Sequence, residues 1–89
     1  MLTTKQSKQF KQEYERMKKR GKDMNKIKSI IKMLVEGISL PKNCKDHPLK
    51  GNYAGYRETH IEPDWLLIYT IKENNLYLYR TGSHSDLFG

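Results

Sequence analysis

The 89 residues suffice for one compact domain, expected to span residues 1–89, with too little chain for a second core. Seventeen Lys and Arg against ten Asp and Glu leave a formal net charge of +7, which attracts polyanions and makes nucleic acid the first partner to consider. A lone cysteine, Cys44, excludes an internal disulfide, and no apolar run approaches the roughly 18 residues of a membrane span, so a cytoplasmic protein with no membrane partner is expected.

Met1 to Lys5 leads into polar residues rather than into the apolar region of a signal peptide, and Leu2 to Lys5 could add an edge strand. Phe10, Tyr14 and Met17 then recur at helical spacing, which predicts a helix capped by Ser7 and ended by Gly21. Asp23 caps a second helix whose stripe of Met24, Ile27, Ile30, Ile31, Leu34 and Val35 runs to Gly37. The lysines spread over both helices read as a solvated face.

Beyond Gly37 the chain changes character. Ile38 to Lys50, with Pro41, Asn43, Asp46 and Pro48, predicts a loop. Tyr53 to Ile61 predicts a strand bent near Gly55, and Leu66 to Ile71 is apolar enough for a strand covered on both faces. Glu73-Asn74-Asn75 is turn chemistry, followed by a strand from Leu76 to Arg80 that closes a hairpin. The expected fold class is α+β: two N-terminal helices packed on one face of a mostly antiparallel sheet of about four strands, the other face being open for function.

All three histidines, His47, His60 and His84, fall in the second half, each near an acid or a base. Alternation puts Tyr56, Glu58 and His60 on one face of their strand and Arg57, Thr59 and Ile61 on the other. Arg80 shares the column of Leu76 and Leu78, where a buried arginine needs a carboxylate partner. Cleavage of RNA by its own 2′-hydroxyl needs this inventory: a base, an acid, and a cation for the charge that builds on phosphate. Trp65 or Phe88 could hold an unstacked base. The chemistry calls for no metal and no other cofactor, and the histidines lack the short ligand spacings of a zinc site. Taken singly, each histidine is more often structural than catalytic, and Trp65 more often core or core edge than a base-stacking platform.

Lys45-Asp46-His47-Pro48-Leu49-Lys50-Gly51, Tyr56-Arg57, His60-Ile61-Glu62-Pro63-Asp64-Trp65-Leu66-Leu67-Ile68-Tyr69, Arg80-Thr81-Gly82-Ser83-His84 and Leu87-Phe88-Gly89 closely resemble the motifs of the YafQ family of bacterial toxins, in order and over essentially the whole chain. The resemblance implies a RelE-like fold and an endoribonuclease, an mRNA interferase that cuts messenger RNA, typically on the ribosome. It places the active-site positions on His47, His60, Asp64, Trp65, Arg80, His84 and Phe88. His60 and His84 would share the base and acid roles, Asp64 would orient or replace one of them, and Arg80 would stabilise the phosphate. His47 would position it, Trp65 and Phe88 would hold bases, and Lys50 and Arg57 complete the expected RNA-binding set. Glu58 is a reserve base. A cognate antitoxin is implied as protein partner, with DNA contacted only through it. Two alternatives remain: a non-catalytic RNA-binding module, and a protein-targeting toxin resembling ParE.

Overall fold

A computed structural model describes residues Met1–Gly89. The elements are β1 (Thr3–Gln6), α1 (Lys8–Lys19), α2 (Met24–Glu36), β2 (His47–Pro48), β3 (Arg57–Glu62), β4 (Trp65–Lys72), β5 (Asn75–Gly82) and α3 (His84–Phe88), with short 3₁₀ turns at Lys42–Cys44 and Gly51–Tyr53.

Both long helices begin at the expected caps. Ser7 Oγ accepts from the Phe10 amide at 2.9 Å and itself donates to the Tyr79 carbonyl at 2.7 Å, so one hydroxyl starts α1 and ties it to β5. Asp23 accepts from the Asn25 amide at 3.0 Å, and Gly37 ends α2 in the left-handed conformation at φ 72°, where a side chain would be strained. Phe10, Met17, Ile27, Ile30 and Leu34 from the helices pack on Trp65, Leu67, Tyr69, Leu76 and Leu78 from the sheet.

The sheet order is β1-β5-β4-β3-β2, with β1 parallel to β5 and the remaining pairs antiparallel. The β4–β5 hairpin turns through Glu73 and Asn74, both at positive φ, the geometry that matches strand twist. Five strands rather than four result because His47–Pro48, expected in a loop, pairs with Arg57–Glu58. A two-residue edge strand carries no periodicity of its own, and Pro48 fits there because an edge leaves one row of amides unpaired. The strand expected from Tyr53 begins only at Arg57, since Gly51–Tyr53 coils into a 3₁₀ turn.

The face away from the long helices is not fully open. Leu66 and Ile68 on that side are buried beneath Leu87 of α3, flanked by Leu49, Tyr53, Tyr56 and Tyr79. The near-continuous apolar run of β4 is explained by these two covers. Helix α3 was not expected, although Ser83 and Asp86 carry the reciprocal contacts of a capping box. It docks where Gly82 leaves room: a Cβ there would stand 2.9 Å from that of Asp86. Asp86 also receives both terminal nitrogens of Arg20, at 2.7 and 2.9 Å, which clamps α3 to the end of α1.

Candidate active site

Strand pairing assembles a row across this second face. His47 opposes Glu58, Glu58 opposes Ile68 and Ile68 opposes Arg80; one step along, His60 opposes Leu66 and Leu66 opposes Gly82. The three histidines form a file, with ring centres 6.4 Å apart for His47 and His60 and 5.8 Å apart for His60 and His84.

Each ring is oriented differently. His47 Nδ1 lies 2.7 Å from the Lys45 carbonyl, which can only accept, so Nδ1 carries the hydrogen. Its Nε2 is then 3.2 Å from the buried Glu58 carboxylate, within ion-pair distance. His60 Nε2 lies 3.7 Å from the same Glu58 oxygen, with Nδ1 3.4 Å from the Pro63 carbonyl. His84 Nδ1 binds Asp64 at 2.6 Å, which leaves Nε2 without a protein partner on a half-exposed ring.

Asp64 also accepts from the His84 backbone amide at 2.9 Å. That bond first, and the imidazole second, hold the Asp64 carboxyl below its usual range. Asp86 is lowered likewise, chiefly by Arg20. A carboxyl with a depressed folded-state value contributes stability above its unfolded value, about 3.9, and loses it as pH falls through the folded value. Helix α3 is therefore expected to stay docked from pH 7 down to about pH 4 and to detach only below that. The His84 amide resonance followed through an acid titration measures this, and detachment already at pH 5–6 would contradict it.

Arg80 has the partner its position demands, from a residue that sequence reasoning did not single out. Buried Glu13 of α1 accepts from Arg80 Nε at 2.9 Å and Nη2 at 2.6 Å, and from the Thr81 amide at 3.2 Å. The carboxylate raises the guanidinium pKa further above its ordinary value. Arg80 does not follow the column of Leu76 and Leu78: Tyr69 opposes Leu78 and Ile68 opposes Arg80, so a bulge at Tyr79 shifts the alternation and brings Arg80 to the second face. The nitrogen that Glu13 does not bind, Nη1, donates to the Tyr53 hydroxyl at 3.4 Å. Glu13 sits between Phe10 and Met17 at helical spacing, and that placement was the available signal.

Two expected RNA contacts do not join this group. Trp65 is fully buried in the main core, with Nε1 donating to Thr81 Oγ1 at 3.0 Å, so its ring presents no face to a base. Replacing it by Phe is expected to cost on the order of 1–3 kcal/mol through the lost hydrogen bond and volume, read as a lower melting temperature, while cleavage per folded molecule is unchanged. A selective loss of cleavage at unchanged stability would return Trp65 to the site. Arg57 opposes Tyr69 and shares its helix-side face, bound through Nε to Asp46 at 2.6 Å. Asp46 also accepts from the Tyr69 hydroxyl, whose pKa is raised by burial first and by that carboxylate second.

Lys50 is exposed in the loop before the first tyrosine of an aromatic cluster. Phe88, half-exposed, meets Tyr53 edge-on at 5.6 Å; Tyr53 meets Tyr79 at 6.2 Å, and Tyr79 stacks on Tyr56 at 4.6 Å. The tyrosines are not recognisable as a group in the sequence because they join only when β5, the bulge and the 3₁₀ turn come together. No cluster of three or more His, Cys, Asp or Glu side chains has the geometry to hold a metal ion.

Comparison with known proteins agrees over the full length. A family model described as the bacterial toxin of type II toxin-antitoxin systems, YafQ, matches residues 2–89. The mRNA interferase toxin YafQ of Escherichia coli K12 is 45% identical over 82 residues, covering 91% of this chain and 89% of that protein. The crystal structure of YafQ from E. coli BL21(DE3) superposes with a TM-score of 0.94 at 41% identity, and YafQ in the E. coli DinJ-YafQ complex with 0.93 at 42%, each over the whole of both chains. With one family model covering all but the first residue, and a RelE-like fold reproduced at this identity, the chain belongs to the YafQ family of type II toxins.

Proposed function

We propose that this chain is the toxin of a type II toxin–antitoxin system and acts as an mRNA interferase, an endoribonuclease that cleaves messenger RNA by acid–base catalysis. The observation that carries the mechanism is the file of three histidines around Glu58 and Asp64 on one exposed face.

His84, with Nδ1 donating to Asp64, has a free Nε2 that accepts the 2′-hydroxyl proton. The 2′-oxygen then attacks the adjacent phosphorus, the bond to the 5′-oxygen breaks, and a 2′,3′-cyclic phosphate and a 5′-hydroxyl result. His60, beside Glu58 and 5.8 Å from His84, donates the proton that the leaving 5′-oxygen needs. Arg80 Nη1 meets the phosphate oxygens, its orientation set by Glu13. Phe88 and Tyr53 take the base-holding role expected of Trp65.

The site acts on mRNA held in the ribosome within the cytoplasm. Net charge of +7 supports docking on an RNA-rich surface. No helix is long and apolar enough to cross a membrane. An antitoxin covers the toxin, as DinJ forms a complex with E. coli YafQ, and DNA is reached only through that antitoxin.

The test is incubation of the purified protein with a defined messenger RNA, with and without translating ribosomes, in EDTA. Product ending in a cyclic phosphate, formed only with ribosomes, is the expected result. A folded protein that binds RNA but forms no product in either setting would leave a binding module, and growth arrest without cleavage would point to a protein target.

A further inference from the structure

Helix α3 covers only part of the second face. Beyond it, Lys5 of β1, Tyr77 of β5 and Thr70 of β4 stand in one cross-strand row, with Tyr56 just before β3. These residues, with Lys72 and Tyr79, line an open groove of about 440 Å³. That lies within the range of about 300–1,000 Å³ typical of ligand sites. Tyr77 is 39% exposed, so part of its ring is open to a ligand in the groove. Neither Lys5 nor Lys72 has an acidic group within ion-pair distance, whereas the acids near the catalytic face are all paired. The groove joins the histidine face through one aromatic path: Tyr56 stacks on Tyr79, Tyr79 meets Tyr53, and Tyr53 meets both Phe88 and Arg80.

We propose that this tyrosine-lined groove is an extended subsite for single-stranded RNA, holding nucleotides on one side of the scissile phosphate. Tyr77 and the open side of Tyr79 stack bases, and Lys5 and Lys72 neutralise their phosphates. Flat rings accept any base, so the groove adds affinity and fixes the strand's direction more than it reads sequence. The inference rests on the RNase function proposed above and adds where the rest of the strand runs.

A 2′-O-methyl RNA of nine nucleotides, which cannot attack its own backbone, serves as probe for binding to the full-length protein. Tyr77→Ala is expected to weaken binding about 5- to 150-fold, the range for loss of one stacked base, and Tyr77→Phe to retain it. Lys5→Ala with Lys72→Ala should lower the slope of log affinity against log salt by about 1.4, from about 0.7 per phosphate contact. Lys28→Ala with Lys32→Ala, the same charge removed from α2, serves as control. A trinucleotide probe should bind the wild type and Tyr77→Ala equally, because it ends before the groove.

Circular dichroism must show each variant folded, and the salt slope of Lys5→Ala with Lys72→Ala gives a second reading of the site if Tyr77→Ala does not fold. Groove variants no weaker than the α2 control would overturn the subsite while leaving cleavage intact. Variants that keep RNA affinity but lose the antitoxin would overturn it too, assigning the groove to a protein segment. A wild type that neither binds nor cleaves RNA would remove the RNase function and the groove with it.

Discussion

Replacing His84 or His60 by alanine is expected to reduce cleavage by about 10²–10⁴ in kcat while leaving the folded circular-dichroism spectrum unchanged. The His84 ring is half-exposed on α3 and the His60 ring 17% exposed on the sheet, and neither belongs to either hydrophobic cluster, so their loss removes chemistry more than packing. The roles separate by the leaving group. An RNA with sulfur in place of the bridging 5′-oxygen needs little protonation to depart. The His60→Ala variant should regain most of its rate on that substrate, and the His84→Ala variant should not. Rescue of His84→Ala instead would exchange the two roles. Equal rates for all variants on natural RNA would show that the histidine file is not the catalytic centre.

Glu13→Ala is expected to cost about 3–5 kcal/mol, because it strands a guanidinium that is 14% exposed beside an unfilled carboxylate site. Against a total of about 5–15 kcal/mol for a small domain, this is a large share of the stability. At roughly 4–8 °C per kcal/mol, the melting midpoint should fall by more than 10 °C. Removing both charges, as Glu13→Leu with Arg80→Met, should restore much of the stability, since an apolar pair of similar volume has no desolvation penalty to offset. The double variant should be inactive if Arg80 Nη1 is the phosphate contact. A double variant that is both stable and active would make the pair purely structural. A Glu13→Ala variant melting like the parent would mean that water already shares the site.

Most of the architecture is legible in the residue order. Ser7, Asp23 and Gly37 mark the helix ends by local hydrogen-bonding chemistry, and the apolar stripes of α1 and α2 state which sides face the sheet. Alternation along β3 puts Glu58 and His60 on one face and Arg57 on the other, as found. Motif order then places the chain in its family, and the family model spans residues 2–89. The residues of the site come from the same motifs, but their geometry does not.

Features set within a single turn or strand, namely caps, periods, turn residues and the net charge, follow from the order of the amino acids alone. The remainder depends on how distant segments pack. The bulge at Tyr79 that turns Arg80 to the second face, the pairing of Arg80 with Glu13 67 residues away, and the burial of Trp65 all arise in that way. So do the two-residue strand that sets His47 against Glu58 and the docking of α3 that brings His84 to His60. Side-chain periodicity reports which face a residue prefers. It carries no information on which neighbour will be waiting there, because that contact is made by chain far away in sequence.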